Sequence, residues 1–405
     1  MDTPSTPRLP NDILSIIFSH FCLHYQDHYN ETWDQRPLRT IRPSREKQQP
    51  DAKSWYSIDR NTLFAACLSS KCLRDVAQPS LYHEFVLGYG DSWKSKLYTW
   101  QGQLASFIRT LARRPDLSYK VKIIYIHTHL FRDSNEKHRA ALLEAARALG
   151  IDLPAVWKRR TSSISASDAQ DWPEVYLIFL SSYLDQNLRL TEEQERVLRE
   201  AMTMRSEPGR RWLNPELITM LIAQTRHLEY LSLQDDGSWP TNGLPGSALQ
   251  ALGVSSLPLK MLDLGIGPSP IIKSASSNLQ TLNLYQCSRN FRESISEMPC
   301  LKTLRITDSS MEASTLRNLL NACTGGLVAF EFEAPQPIEP VHDGRSHCGF
   351  EGNPVIPDKH FQPSDVIESL QRHRSTLKVL HLDLSGRKLR TRKIPSEMNL
   401  KVGPC

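Results

Sequence analysis

Apolar positions along this chain fall into three blocks with different spacing. In the first, Ile13, Leu14, Ile17, Phe18 and Phe21 form one broad stripe at helical period. Leu9-Pro10-Asn11-Asp12 precedes them: proline presets φ for a first turn, and Asn11 or Asp12 can accept free backbone N–H groups and complement the helix dipole. The spacing predicts a helix over 9–23. Residues 24–60 are polar, charged and proline-containing, with isolated Trp33, Trp55 and Tyr56 and no sustained period. They read as an inserted flexible loop, with 26–57 expected to be protease-sensitive. Order resumes at Asn61, where Leu63, Ala66, Cys67 and Leu68 share a short helical face. Ser70 to Ala77 forms a second helix, expected to stop at Pro79, and Leu81-Tyr82-His83-Glu84-Phe85 follows.

The second block, 91–210, is a helical connecting region. Leu104, Phe107, Ile108 and Leu111 stand at i, i+3, i+4 and i+7, an amphipathic helix ended by Arg113-Arg114-Pro115. Val121 to Ile126 is β-branched and predicts a strand, the candidate first strand of the C-terminal array. Helical patterns recur near 137–149, 173–186 and 192–204, with a serine-rich loop over 159–169.

The third block repeats Leu-x-x-Leu-x-Leu. It begins at Leu228, Leu259, Leu279, Leu301, Leu327 and Leu377, with Ile306, Phe330 and Phe332 replacing some leucines. The spacings are 31, 20, 22, 26 and 50 residues, and the middle three match the period of leucine-rich repeats. Cys287 takes the Asn/Cys position after Leu284. Seven residues before each first leucine stand Leu221, Leu252, Ile272, Leu320 and Leu370, with Ser294 the polar exception. Eleven before stand Leu217, Leu316 and Val366, which places a helix face before the strand, with N-caps expected at Asn214, Ser314 and Ser364. Such a helix–strand unit cannot bury its apolar side alone, so neighbours must stack, predicting a curved α/β solenoid over 211–385. Leu282 and Leu284 are expected in its core, with Asn283 between them facing outward, where substitution changes stability by no more than about 0.5 kcal/mol. Residues 333–363, rich in proline, read as a projecting loop, and 386–405 as a basic tail. The chain after Leu384 shows no further repeat or terminal cap, and a missing C-terminal portion is one reading of that.

Taken in order, Leu-Pro-x-Asp-Ile-Leu-x-x-Ile-Phe from Leu9, the apolar helix, Lys71-x-Leu73-Arg74-Asp75-Val76-Ala77 and Pro79-x-Leu81-Tyr82 resemble an F-box. The continuation through His83-Glu84-Phe85 to Gly88-Tyr89-Gly90-Asp91-Ser92-Trp93 is similar to a fungal group of F-box proteins. The long insert is a departure, tolerable because loop closure entropy grows only logarithmically. The resemblance implies a small three-helix F-box in residues 1–90 that binds the Skp-type adaptor of an SCF ubiquitin ligase. By family position the adaptor contacts fall on Leu9, Pro10, Ile13, Leu14, Ile17, Phe18, Leu68, Leu73, Arg74 and Leu81. Through the adaptor, a cullin-RING scaffold is implied, with an unknown protein substrate on the repeats and a recruited conjugating enzyme supplying the chemistry. The alternative is an interaction scaffold that binds the adaptor or another partner without promoting ubiquitin transfer.

Composition narrows the remaining classes. The net charge of +5 and pI near 8.7 are too mild for a nucleic-acid stripe, although Arg387, Lys388, Arg390, Arg392 and Lys393 cluster late in the chain. The eight cysteines are scattered singly, which suits a reducing, intracellular setting, cytoplasmic or nuclear, with no disulfide framework. The N-terminus lacks an apolar secretory core, and the longest apolar run, Val175 to Leu180, is far short of the about twenty residues of a membrane span. No phosphate loop, His-Glu-x-x-His or nucleophile elbow appears, so no enzyme activity and no cofactor are expected. Gly88-Tyr89-Gly90 reads as an ordinary turn, and His127 and His129 as polar strand-end residues. His342, His347 and Cys348 lack a fourth ligand at metal spacing, so no metal is expected.

Overall fold

The computed structural model of the protein describes residues 9–26, 55–87, 102–127, 130, 135–157, 191–193, 195–196, 208–234, 249, 252–265, 271–285, 295–307, 309, 311–334 and 363–384. Four helices come first: α1 (Asn11–Ser19), the short α2 (Leu23–Gln26), α3 (Trp55–Ser69) and α4 (Lys71–Tyr82). Helix α4 packs on both α1 and α3. Their shared core is Phe18, Leu63 and Ala77, with Leu14, Phe21, Leu73, Val76 and Leu81 half-buried against it.

Local details differ from the sequence reading. The first helix starts from Pro10 with no side-chain cap, so Asn11 and Asp12 do not close it, and it ends at Ser19 before a separate turn of helix. The second begins at Trp55, not Asn61, because Tyr56 is drawn into a buried apolar cluster that a period count within 24–60 does not register. Residues 27–54 lie outside the described residues. Helix α4 runs through Pro79: the ring removes one backbone bond, but buried Ala77 and Ser80 and half-buried Leu81 hold the last turn in place. Ser70 caps it, its hydroxyl accepting the Leu73 N–H at 3.1 Å.

Beyond α4 the chain builds one parallel sheet in sequence order. Its strands are β1 (Glu84–Val86), β2 (Ile123–His127), β3 (Tyr230–Gln234), β4 (Met261–Gly265), β5 (Thr281–Tyr285), β6 (Thr303–Thr307), β7 (Ala329–Glu333) and β8 (Val379–Asp383). Each pairs with its predecessor, giving the order β1 to β8 without a crossing. The strand at 123–127 is therefore second in the sheet, because Glu84–Val86 pairs ahead of it. In β3 to β8 the strand begins two residues after the first leucine of Leu-x-x-Leu-x-Leu.

Between the strands lie α5 (Gln103–Arg113), α6 (Pro115–Ser118), α7 (Asn135–Leu149), α8 (Pro208–Gln224), α9 (Ile271–Ala275), α10 (Ala313–Ala322) and α11 (Pro363–Leu370). All seven contribute to one continuous core on a single face of the sheet. In register across that face run Ile124, Leu231, Leu262, Leu282, Leu304 and Phe330, all fully buried. Alternation along each strand sends these residues to the helix side and their neighbours to the other. The expected caps are displaced: α8 starts at Pro208 rather than Asn214, and α10 and α11 start one residue before Ser314 and Ser364. The patterns at 173–186 and 197–204, the loop 335–362 and the tail 386–405 lie outside the described residues, as do Gly88-Tyr89-Gly90, His129, His342, His347 and Cys348.

Candidate functional site

The helical module completes its own core and leaves a second apolar set outside it. Helix α1 turns Leu14 and Phe18 inward, four residues apart, because both lie on the stripe facing α4. Ile13 and Ile17, also four apart, point away and are exposed, and Ile16 joins them. On α3 the residue buried in the helical core is Leu63, while Phe64 is 54% exposed and Leu68 is 72% exposed. Leu68 therefore does not pack in the helical core, and Leu9, 55% exposed, and Pro10 are also on the surface. Of the other expected contact residues, Leu73 and Leu81 are half-buried in the module, and Arg74 is exposed beside Asp75, 3.8 Å away. Cys72 Sγ lies 3.7 Å from Asn11 Oδ1, which brings the start of α4 to the start of α1. Leu68 stands four residues before Cys72 and Leu9 two before Asn11, so one end of the module carries both apolar side chains. Ile16 and Phe64 are exposed as well and were missed in the sequence, where exposed and buried apolar residues on a short helix look alike.

The module is locked to the sheet through a buried polar cluster. Glu84, on β1, accepts the Leu23 N–H at 2.8 Å and faces Cys22 Sγ at 3.5 Å and Arg60 Nη1 at 3.9 Å. Burial raises its carboxyl above the ordinary range, against the opposing pull of Arg60 and of bonds from Tyr56, Cys22 and Leu23. His83 Nδ1 lies 3.6 Å from Cys22 Sγ, and burial, then the charge of His24, lowers its pKa to about 4. Cysteine beside histidine and glutamate suggests a nucleophile on paper. Here Cys22 is fully buried, and burial followed by the Glu84 charge pushes its thiol far up, so it holds no reactive thiolate. The cluster is a tether, reinforced by Leu23 and Tyr56 packing on Val86, Ile123, Tyr125, Tyr230 and Met261.

On the face of the sheet opposite the main core, a polar row continues from that apolar cluster. Tyr230 donates to Asp263 Oδ2 at 2.5 Å, and the Asn283 amide donates to Asp263 Oδ1. Farther along, Arg305 pairs with Glu331 at 3.1 Å. Asn283 does alternate with Leu282 and Leu284, but it is 3% exposed and hydrogen-bonded, not a free surface residue. Period two assigns the face and leaves open how deeply that face is buried.

Comparison with protein-family models, with curated proteins and with solved structures found no match. Among the described residues no group of three or more His, Cys, Asp or Glu is placed to hold a metal ion, and no helix is long and apolar enough to cross a membrane. Cys22, Cys67, Cys72, Cys300 and Cys323 are free thiols.

Proposed function

We propose that this chain is the substrate-recognition subunit of an SCF-type ubiquitin ligase, with an F-box in the helical module and a leucine-rich-repeat-like solenoid in the sheet and its helices. The observation that carries the reading is the exposed apolar set Leu9, Ile13, Ile17, Phe64 and Leu68, left over after the three helices have filled their core. An apolar surface of this kind on a small helical unit suits burial against another protein. Leu9, Ile13, Ile17 and Leu68 are among the positions that the resemblance assigns to the Skp-type adaptor, whereas Phe64 is an addition and Leu14, Phe18, Leu73 and Leu81 pack within the module instead. The solenoid reading rests on strands added one by one in sequence order with helices on one face.

In this reading the chain works by position. The adaptor and cullin hold one end, the repeats hold a target, and proximity raises the target's effective concentration at the conjugating enzyme. The Glu84 cluster supports it by joining the helical module to the sheet through buried hydrogen bonds. The test is a pull-down of purified adaptor by the full chain, alongside a variant with Leu9 and Pro10 both changed to Ala. The parent is expected to retain adaptor and cullin, and the variant to lose both while its thermal unfolding is unchanged. Equal capture by parent and variant would falsify the adaptor assignment. Capture of adaptor without cullin would favour a scaffold role.

A further inference from the structure

The residues immediately before the strands form a row of their own. Tyr230, Met261, Thr281, Thr303, Ala329 and Val379 are in register. Their predecessors therefore stand side by side, linked by backbone bonds of 2.8 Å from Lys260 to Glu229, Gln280 to Lys260 and Lys302 to Gln280. Val328 bonds to Lys302 and Lys378 to Val328 in the same way. Lys122, before β2, is the first lysine of the row, its backbone N–H bonded to the carbonyl of His83 before β1 at 2.6 Å. Side chains along it reach one another: Glu229 accepts from Lys122 at 2.9 Å and from Lys260 at 2.7 Å. Burial alone would raise the Glu229 carboxyl, but the two lysine hydrogen bonds and charges outweigh it and hold it at about 2.

Past Glu229 the row is positive or neutral. Lys302 and Lys378 are exposed and form no ion pair among the described residues. Arg226 and Arg374, in the turns leading into β3 and β8, are exposed at the same end of the sheet. Beside Lys378, at the edge strand, Val379 and Leu380 are each 48% exposed, although Leu380 sits in the register of the core leucines.

We propose that this rim of the sheet is a docking site for an extended, acidic segment of a partner protein. Strands lie about 4.8 Å apart, so the row from Lys122 to Lys378 is about 29 Å long, which about ten extended residues span. Successive lysines are two strands apart, about 9.6 Å, with Glu229, then neutral Gln280 and Val328, in the three intervals between them. A nucleic-acid strand, with a charge about every 3.4 Å, would leave most phosphates unmatched and run one against Glu229. A polypeptide can space its carboxylates to suit and set an apolar side chain against exposed Val379, which lies on the face opposite the main core. The site lies on a different part of the chain from the proposed adaptor surface and does not depend on that reading.

The test is fluorescence anisotropy of a labelled oligoglutamate peptide of about ten residues, the length that spans the row, with the full chain. Saturable binding is expected, weakening as ionic strength rises from about 0.05 to about 0.5 M. A double variant, Lys302→Glu with Lys378→Glu, is expected to bind about tenfold more weakly, and Lys302→Arg with Lys378→Arg to bind like the parent. Should the charge reversal disturb thermal unfolding, Lys302→Gln with Lys378→Gln replaces it, with the same direction expected. The proposal is overturned by absence of binding at low salt, by equal binding of the neutralised or reversed variant, or by preference for a single-stranded oligonucleotide or anionic vesicles over the peptide. An adaptor pull-down run in parallel bears only on the F-box assignment.

Discussion

Changing Asn283 to Asp puts a carboxyl where an amide now donates to Asp263. Both residues are 3% exposed, and Asp263 also accepts the Tyr230 hydroxyl. Two carboxylates about 4 Å apart at an effective dielectric of about 20 repel by about 4 kcal/mol. The introduced group can escape by taking up a proton, which then donates in place of the amide. Keeping a carboxyl of unfolded pKa about 3.9 protonated at pH 7 costs about 1.4 kcal/mol for each pH unit, again about 4 kcal/mol in all. Either route sets the loss near pH 7 at up to about 4 kcal/mol. The sign follows from linkage: the folded pKa of the new carboxyl is raised, so the variant is closest to the parent below the unfolded value. It loses ground as pH rises toward the folded value. Urea denaturation of parent and Asn283→Asp from about pH 4 to about pH 8 should therefore diverge, by about 1.4 kcal/mol per unit at the steepest. Parallel curves would mean that Asn283 does not face Asp263 in a buried row.

Three further outcomes can be checked on the same protein. Leu282→Ala should lower stability by about 2–5 kcal/mol in denaturant titration, since the side chain is fully buried between Leu262 and Leu304; a loss under about 1 kcal/mol would contradict that placement. Ser70→Ala removes the cap on Leu73 N–H and should cost about 1 kcal/mol, with faster amide exchange in the first turn of α4 as the local signature. Glu84→Gln keeps an acceptor for the Leu23 N–H but removes the buried charge. Because burial raises the Glu84 pKa, the parent loses this carboxyl's contribution as pH rises through that raised value. The variant should gain relative to the parent toward neutral pH in thermal melts, and an unchanged difference at every pH would count against a buried, ionisable tether.

Much of the repeat half was legible in one dimension. The strand starts two residues after each first leucine, and the interior rows, follow from local alternation that no long-range contact has to specify. The helical period likewise put Leu14, Phe18 and Leu63 on apolar helix faces, and these pack in the module, although Ile13 and Ile17 of the same stripe stay exposed. Four features needed the tertiary structure. Glu84 follows α4 with no sign of burial, yet pairing of β1 with β2 turns it into the tether beneath α2 and α3. Tyr56, inside a stretch without period, is buried by the sheet rather than by its own helix. Leu63 and Leu68 look equivalent in a six-residue apolar run, and packing against α4 buries only the first. Asn283 obeys the alternation and is still enclosed. Periodicity decides which side chains share a face, because backbone geometry is local; whether that face meets water, a neighbour or a buried charge depends on residues far away in sequence, and only the assembled fold decides it.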